Sequence, residues 1–347
     1  MDKNKTSHLL VIRLSALGDV AMTIPVLLAL TRQFPDIKIT VLTREFFRPL
    51  FEDIPNVSLH TADVKGKHKG ILGLWRLYRE LKELKFDAIA DLHHVLRSQI
   101  LKLFFISTGI RFIQIDKGRK EKKALTAWKQ KEISPLRSTH ERYADVFRAL
   151  GFSITLEASD IKKKTSPTTI VGNYLEDSKF KYIGIAPFAA FKSKMYPLPL
   201  MEKVVEHLNN TNQYKIFLFG GGPSERQQMQ KLASIYTNCI NVVGVFSFRE
   251  ELMALSHLDL MLAMDSGNAH LAAMYGVPTI TLWGVTHPFA GFTPFAQEFA
   301  NTILADREQY PFIPTSVYGN KFPANYEQAI ASIDPQEVVN KVQSILA

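Results

Sequence analysis

Short apolar segments alternate with amphipathic segments along most of the chain. "HLLVIRL" (8–14) and "IKITVLT" (37–43) are rich in aliphatic and β-branched residues and predict strands. Between them, "VAMTIPVLLALTRQF" (20–34) has its apolar positions at helical spacing. "FDAIADL" (86–92) continues the alternation as a strand after a helix over 71–85. This order of elements predicts βαβ units that form a parallel sheet.

The alternation stops at a polar segment and then restarts. "EASDIKKKTSPTT" (157–169) lacks core-forming residues and predicts a domain boundary. Strands are predicted over 181–188 and 214–222 with a helix over 198–210 between them, and a last helix follows a capping Asp334. The predicted fold is α/β, with two Rossmann-like doubly wound domains over 1–164 and 165–347. The last helix is a candidate to pack back on the N-terminal domain.

Such sheets bind ligands beyond the carboxyl ends of their strands, so a cleft between the two domains is the expected site. The composition is that of a globular protein, with 46% hydrophobic and 22% charged residues in 347. The single cysteine, Cys239, excludes an intramolecular disulfide and favours a reducing compartment. The N-terminal apolar run is too short for a signal peptide, and no segment approaches the roughly 18 apolar residues of a spanning helix. We therefore expect a cytoplasmic protein, either free or attached at a membrane surface.

The net charge of +9 favours phosphate-rich partners such as nucleotides or an anionic membrane. The segment "KGRKEKKALTAWKQK" (117–131) holds a single Glu among many Lys and Arg residues. It is either a solvated loop or a surface that contacts anionic lipid or substrate, and its sequence leaves both open. No alternation of aromatic and basic residues typical of RNA-binding sheets is present, which disfavours nucleic acid as a partner.

The turn after the first strand carries the first candidate chemistry. "SALGD" (15–19) lacks the three glycines of a dinucleotide fingerprint, so a bound NAD pyrophosphate is not expected there. Asp19 is either a first-turn helix acid or a carboxylate that removes a proton from a bound hydroxyl. Ser15 and Gly18 then become candidate acceptor contacts, with Gly18 allowing close approach to the backbone. The stretch alone favours the helix-cap interpretation.

The segment "LMLAMDSGNAHLAAMYGVPTITLWG" (260–284) carries the second candidate site. A buried strand ends at Asp265, and a helix opens immediately after Ser266 and Gly267. Unpaired N–H groups at the positive end of a helix form an anion site, and a pyrophosphate fits it. His270 lies in the first turn and either reaches the same anion or packs as a partly buried histidine.

Two further segments place charged residues at strand ends of the second domain. Lys192 and Lys194 follow the strand over 181–188, where a lysine can neutralise the charge that grows on a departing phosphate. Gly221 lies in a glycine-rich turn, and Glu225 in the following helix either matches the helix dipole or bonds a ribose hydroxyl. Solvated surface charges are the alternative for each lysine.

In the first domain, "DLHHVLRSQ" (91–99) ends a strand with His93 and Arg97 directed toward the crevice. Arg97 suits a phosphate or carboxylate because its guanidinium bonds two oxygens at once, although a loop salt bridge is the simpler alternative. No close Cys and His cluster and no Asp-x-Asp pair is present, so a mechanism without metal or cofactor is expected. The absence of Gly-x-Ser-x-Gly removes the usual serine hydrolase.

These motifs together resemble glycosyltransferase family 9, the bacterial lipopolysaccharide heptosyltransferases. The resemblance rests on "VIRLSALGDVAMTIPVLLAL", "SKMYP" and "MDSGNAHLAAMYGVPTITLWG" and spans nearly the whole chain. It implies a GT-B fold with the donor nucleotide on the C-terminal domain and the acceptor mainly on the N-terminal one. The family often has Trp at Tyr196, and hydroxyl residues where this chain has Ala189 and Ala190.

By that resemblance, Asp19 is the catalytic base and Lys194 a catalytic pyrophosphate contact. The resemblance also makes Asp265, Ser266, Gly267 and His270 the donor-binding turn, and the positions of Lys192, Gly221 and Glu225 after strands add them as candidate donor contacts. Arg97 falls where family members place a basic acceptor-side residue, and Ser15, Gly18 and His93 are candidate acceptor contacts from their positions in the turns described above. The implied reaction is an inverting, metal-independent transfer of heptose from ADP-heptose to a lipid-linked inner-core saccharide.

Three alternatives stay open on the sequence. The enzyme could use another nucleotide sugar in cell-surface glycan synthesis. The protein could bind a nucleotide without catalysis, in which case Asp19 is only a cap. A nicotinamide-dependent oxidoreductase is the third, and the missing glycine fingerprint argues against it.

Overall fold

The computed structural model describes residues 7–129, 131, 133–175 and 179–347. It divides the chain into two compact units. The first comprises the chain up to Lys117 together with Thr139–Lys162, and the second comprises Gly118–Ser138 and Lys163–Ala347. The boundary at 164/165 expected from the sequence stays a prediction. Of the basic segment over 117–131, Gln130 lies outside the described residues.

The first unit is built on a five-stranded sheet in the order β3-β2-β1-β4-β5, with every neighbouring pair parallel. Its strands are β1 (His8–Ile12), β2 (Lys38–Thr43), β3 (Val57–Thr61), β4 (Ala88–Asp91) and β5 (Arg111–Gln114). Leu9 to Ile12 of β1 are fully buried, as expected for a central strand whose two faces are covered by helices.

Within its described residues, the first unit has six α-helices. They are α1 (Leu17–Ala21), α2 (Thr23–Gln33), α3 (Arg48–Phe51), α4 (Gly70–Lys82), α5 (Leu96–Phe105) and α7 (Thr139–Ala149). The single helix predicted over 20–34 is wrong in detail, because α1 ends at Ala21 and α2 begins at Thr23. Pro25 has no N–H to donate to the carbonyl of Ala21, which explains the break at that position.

The second unit is built on a six-stranded parallel sheet in the order β11-β10-β9-β6-β7-β8. Its strands are β6 (Lys181–Ala186), β7 (Tyr214–Leu218), β8 (Cys239–Asn241), β9 (Leu260–Met264), β10 (Thr279–Trp283) and β11 (Thr302–Leu304). Its helices are α6 (Arg119–Leu125), α8 (Thr169–Leu175), α9 (Leu198–Asn210), α10 (Pro223–Ile235), α11 (Phe248–Ser256), α12 (Gly267–Ala273) and α13 (Pro335–Leu346).

The last helix, α13, has its apolar face in the core of the second unit. Val338, Val339 and Val342 are buried there together with residues of β6, β9 and α9. The expectation that the helix returns to the N-terminal domain stays a prediction. Asp334 caps the helix as predicted, accepting a hydrogen bond from the Gln336 N–H at 2.9 Å.

Each sheet has one point where the strand order reverses. In the first unit it lies between β1 and β4, because the chain adds β2 and β3 on one side of β1 and β4 and β5 on the other. In the second unit it lies between β6 and β9 for the same reason. Connections leave such a switch point in opposite directions and open a crevice at the carboxyl ends of the two strands. Across the described part of the chain, no helix is both long and apolar enough to cross a bilayer.

Candidate active site

The switch point of the first unit carries an ion pair between Arg13 and Asp19. Arg13 follows β1 directly, and Asp19 lies in the first turn of α1. The Arg13 Nη2 atom is 2.5 Å from the Asp19 Oδ2 atom. Arg13 also donates from Nη1 to the Leu92 carbonyl beyond β4 at 2.6 Å, so one side chain bridges both strands of the switch point. Its side chain is only 7% exposed, whereas that of Asp19 is 30% exposed.

The Asp19 carboxylate uses one of its oxygens inside the protein. Oδ2 meets Arg13 and accepts from the Ala16 N–H at 3.3 Å, which is half of a capping box. Oδ1 has no hydrogen bond to any residue that the structure describes at this site. Tyr143, fully buried in α7, donates its hydroxyl to the Asp19 backbone carbonyl at 3.3 Å and so helps to fix the turn. Asp19 is therefore both a cap and a partly exposed carboxylate with a free oxygen.

Of the four predicted acceptor residues, Ser15 and His93 meet in the structure. The Ser15 Oγ and His93 Nε2 atoms are 3.4 Å apart. His93 is 6% exposed, and burial, with the positive charges of Arg13 and Lys117, lowers its pKa to about 3. The ring is thus neutral near pH 7 and serves as a polar contact rather than as a cation for a phosphate.

The two other predicted acceptor residues lie on neighbouring elements. Gly18 is the residue before Asp19 in α1 and is half-buried. Arg97 lies in the first turn of α5, with its side chain exposed to solvent. No contact is recorded between Arg97 and Asp19, so their joint action on an acceptor stays a prediction.

The switch point of the second unit carries a second ion pair, between Lys194 and Asp265. Ala186 of β6 pairs with Ala263 of β9, so the loops after these strands start side by side. Lys194 ends a 3₁₀ helix over Lys192–Lys194, and its Nζ atom lies 2.8 Å from the Asp265 Oδ2 atom. Both side chains are nearly buried, at 12% and 9% exposure.

The turn that follows Asp265 has the form predicted from the sequence. Ser266 is the N-cap of α12 in an extended conformation, and Gly267 is its first residue. The Ser266 hydroxyl does not cap the helix, and its oxygen is buried without a hydrogen-bond partner among the described residues. His270 lies in the first turn of α12 and is 7% exposed. These residues adjoin Asp265 in the chain and therefore share the end of β9 with it.

The remaining predicted donor residues line a separate pocket of about 540 Å³ within the second unit. Lys192, Gly221 and Glu225 belong to its wall, and Lys194 and Asp265 do not. The Gly221 N–H donates to the Glu225 Oε2 atom at 2.6 Å, which fixes the acid at the start of α10. The structure thus divides the predicted donor residues into an ion-pair group at the end of β9 and a pocket group on the loops after β6 and β7.

The basic segment over 117–131 is folded onto the second unit. Lys122 is 8% exposed, and its Nζ atom lies 4.2 Å from the centre of the Phe292 ring. Lys131 donates to the carbonyls of Phe312 and Pro314, the latter at 2.7 Å. Burial and the nearby Arg307 lower the Lys131 pKa to about 8. The exposed cations of the segment are Arg119, Lys120, Lys123 and Lys129.

Arg13 is the site residue that the sequence analysis missed. Its signal was a charged residue directly after four buried aliphatic residues of β1. A buried guanidinium needs an anionic partner, and Asp19 is the nearest acid along the chain. In the described ranges, no group of three His, Cys, Asp or Glu side chains is arranged to hold a metal ion.

Comparison with known proteins assigns the family. The model of glycosyltransferase family 9 (heptosyltransferase) matches residues 74–318. The chain belongs to this family. A lipopolysaccharide core heptosyltransferase (OpsX) of Haemophilus influenzae is 27% identical to this family 9 glycosyltransferase over 290 residues, covering 81% of this chain and 80% of the relative. Lipooligosaccharide heptosyltransferase 2 of the same organism is 25% identical and covers 98% of this chain and 99% of its own.

Solved structures share the fold of this family 9 glycosyltransferase. A family 9 glycosyltransferase from Veillonella parvula superposes with a TM-score of 0.74 at 22% identity, covering 98% of this chain and 97% of its own. Escherichia coli heptosyltransferase WaaC with ADP gives 0.68 at 18% identity, covering 97% and 99%. The predicted α/β fold of the GT-B class, with two doubly wound domains, is confirmed. The predicted family and the prediction of a glycosyltransferase are confirmed as well, in preference to an oxidoreductase or a non-catalytic binder.

Proposed function

We propose that this protein transfers a heptose from ADP-heptose to a hydroxyl of a lipid-linked inner-core saccharide of lipopolysaccharide, with inversion and without a metal ion. Its relatives among the lipopolysaccharide and lipooligosaccharide heptosyltransferases support the sugar and the pathway, and the ADP bound in the related WaaC structure supports the nucleotide. Because that acceptor carries a lipid anchor, we place the enzyme at the inner face of the inner membrane.

The observation that carries the proposal is the state of the Asp19 carboxylate. One oxygen is held by Arg13 and by the Ala16 N–H, and the other is free in a partly exposed side chain. A general base needs a fixed orientation and an open oxygen within hydrogen-bond reach of the proton that it removes. In our proposal Asp19 Oδ1 accepts the proton of the acceptor hydroxyl while the hydroxyl oxygen attacks the anomeric carbon. Ser15, Gly18, His93 and Arg97 hold the acceptor.

The leaving diphosphate is the second requirement of the reaction. An ammonium group has three N–H donors, and the Lys194 ammonium directs one of them to Asp265. In our proposal the other two bind the diphosphate, assisted by the buried Ser266 hydroxyl and the Gly267 N–H at the start of α12, with His270 beside them. Such preorganised donors each supply roughly 3 to 4 kcal/mol of transition-state stabilisation. This is the charge neutralisation that a metal ion would otherwise provide.

The pocket of about 540 Å³ on the loops after β6 and β7 is our proposed site for the nucleoside part of the donor. Lys192 and Glu225 line it, and Glu225 is held by the Gly221 N–H. Its Oε1 atom is then available to a ribose hydroxyl. The bond formed is between the acceptor oxygen and the anomeric carbon, and the bond broken is between that carbon and the diphosphate oxygen. A single displacement of this kind inverts the anomeric configuration.

The test is a transfer assay with purified protein, ADP-heptose and a lipid-linked inner-core acceptor, run with and without a chelator. We expect ADP to appear in proportion to glycosylated acceptor at the same rate in both conditions, with the opposite anomeric configuration in the product by NMR. Retention of configuration, loss of activity in the chelator, or transfer only from a non-adenine nucleotide sugar would each refute part of the proposal.

A further inference from the structure

Exposed apolar side chains gather on one part of the first unit. In the described part of the chain, fifteen large apolar side chains are exposed, and six of them lie on α4, on α5 and on the 3₁₀ helix that follows α5. We call this region the α4–α5 surface. It comprises Ile71, Leu72, Trp75, Leu96, Leu103 and Ile106. Clusters of this kind on a globular protein mark interaction sites, whereas single exposed apolar residues do not.

These side chains are not needed for the core of the unit. In α4 the buried positions are Gly73, Leu74, Leu77, Tyr78 and Leu81, which form the inward stripe of an amphipathic helix. Leu72 is 85% exposed and Trp75 47% exposed on the outer side of the same helix.

The two helices contact each other at this surface. The Trp75 ring meets the Phe104 ring of α5 edge-on, with ring centres 5.1 Å apart. Leu103 is the neighbour of Phe104 and is 65% exposed. Leu96 lies seven residues before Leu103, which places both on the same side of α5.

Positive charge lies along the α4 part of this surface. Between residues 65 and 85 the chain has seven Lys and Arg but only two Glu. Glu80 is already engaged by Lys67 at 2.5 Å and by the imidazoles of His60 and His68. Arg76, Arg79 and Lys82 are exposed on the outer turns of α4, and no ion pair to them is recorded among the described residues. Their charge is therefore available to an external partner.

We propose that the α4–α5 surface docks the enzyme on an anionic lipid bilayer. A half-exposed Trp and several Leu and Ile side chains beside unpaired Lys and Arg are the combination that inserts into the headgroup region of anionic membranes. The choice of a bilayer over a soluble protein rests on the proposed function, because a lipid-linked acceptor is presented at a membrane. The basic segment over 117–131 is a weaker candidate for this contact. Its Lys122 and Lys131 side chains contact residues of the second unit, and its Trp128 stacks on Phe312.

The experiment measures binding of the full chain to vesicles of phosphatidylcholine alone or mixed with phosphatidylglycerol. We expect binding to the anionic vesicles to be at least about tenfold tighter and to weaken with salt. The triple substitution Arg76→Gln, Arg79→Gln and Lys82→Gln should weaken it by more than about tenfold. Its matched control removes three exposed charges from the other basic segment, by Lys120→Gln, Lys123→Gln and Lys129→Gln. That control should weaken binding by less than about threefold.

A second pair of variants tests the apolar contribution. Leu72→Ser with Leu103→Ser should weaken binding to anionic vesicles by about tenfold, because both side chains leave water on docking. Ile170→Ser with Ile235→Ser, which removes two exposed apolar side chains of the second unit, should leave binding unchanged. All substituted positions are exposed, so unfolding is not expected, and the midpoint of thermal unfolding verifies this.

A spectroscopic measurement locates the contact. In a Trp128→Phe protein the remaining tryptophans are Trp75 and the buried Trp283. Anionic vesicles should shift the emission to shorter wavelength, and brominated lipid should quench it. Absence of vesicle binding, equal weakening by the two triple substitutions, or no response of Trp75 would each overturn the proposal; the last two would indicate another lipid-binding surface. Vesicle binding without transfer would instead refute the proposed function and leave this inference standing.

Discussion

Lys194 and Asp265 form a nearly buried ion pair at the end of β9, where our proposal locates the leaving diphosphate. A buried pair is costly to form, because desolvation offsets much of the attraction between its members. The Ser266 hydroxyl, next to Asp265 in the chain, is also buried and has no hydrogen-bond partner among the described residues. An anion bound by Lys194 and by this hydroxyl would explain both features. In the first unit, the pair between Arg13 and Asp19 engages only the Oδ2 atom of the carboxylate and leaves Oδ1 open to a substrate.

Substitution of Lys194 tests the leaving-group role. We expect Lys194→Ala to lower kcat by about 10²-fold or more, because one preorganised donor to the developing negative charge is lost. The control is Lys181→Ala, which removes an exposed lysine at the opposite end of β6. It should change kcat by less than about twofold. Steady-state kinetics with saturating donor decides, and an unchanged kcat in Lys194→Ala would reject the role.

The sequence could predict those site residues that lie in a turn next to one strand, but not the pairs that depend on which strands are neighbours. Asp265, Ser266 and Gly267 follow β9 directly, and Asp19 lies in the first turn of the helix that comes after β1, so local pattern places them near the carboxyl ends of strands. The pairing of Lys194 with Asp265 depends on β6 lying next to β9, and hydrophobic periodicity carries no information on strand order. Arg13 was missed for a related reason, since its contact with Leu92 requires β4 beside β1.

At the scale of secondary structure elements, the 3₁₀ helix that carries Lys194 is held between two glycines. A Cβ atom on Gly284, just after β10, would lie 2.2 Å from the Ser193 carbonyl oxygen. One on Gly319 would lie 2.6 Å from the Lys194 Cδ atom, and Ser193 donates its hydroxyl to the Gly319 carbonyl at 2.5 Å. The absence of side chains at both positions is therefore what allows Lys194 to reach Asp265.

A methyl group at Gly284 tests this arrangement. We expect Gly284→Ala to lower the free energy of unfolding by about 1 to 3 kcal/mol, because backbone atoms have to move apart. It should also lower kcat, because Lys194 moves with Ser193. Gly172→Ala in α8 is the control, since its Cβ atom meets nothing within 4 Å, and it should be neutral or slightly stabilising. Urea denaturation and kcat are the two measurements, and wild-type values of both in Gly284→Ala would refute this role of Gly284.

Central strands and long amphipathic helices were the elements that the sequence predicted well. The helix predicted over 198–210 has the bounds of α9, because its apolar face and Pro at its start leave little ambiguity. The edge strands β3 and β11 were missed. Val57–Thr61 is only partly buried, and Thr302–Leu304 is three residues long, so neither has enough apolar residues to show a strand pattern. The break between α1 and α2 depends on Pro25, whose effect was overlooked.

In the whole molecule, each unit has an ion pair at its own switch point. The proposed two-substrate reaction uses Asp19 of the first pair as the base and Lys194 of the second pair for the leaving diphosphate. The excess positive charge of +9 fits substrates and surfaces that carry phosphate. Part of it is used internally by Lys122 and Lys131, and part remains on α4 for the proposed bilayer contact. In our proposal, by contrast, only the second unit recognises the donor.

Ligand-dependent stability tests this division of roles. ADP-heptose at 100 times its Kd should stabilise the folded protein by about 2.7 kcal/mol, which raises Tm by several degrees. GDP- and UDP-sugars should give a smaller rise at equal concentration. Lys194→Ala should lose most of the rise, whereas Asp19→Asn should keep it. A larger rise with a GDP- or UDP-sugar than with ADP-heptose would contradict the proposed nucleotide.

The proposed reaction requires Asp19 to remove the proton of the acceptor hydroxyl, so the turnover of Asp19→Asn is the decisive measurement. The amide keeps the size of the side chain and can still accept from Arg13, but it cannot take up a proton. We predict a kcat at least about 10²-fold below that of the wild type, with an unchanged donor-induced rise in Tm and with the exposed control Asp36→Asn fully active. Transfer by Asp19→Asn within about threefold of the wild-type rate, with donor binding intact, would contradict the account.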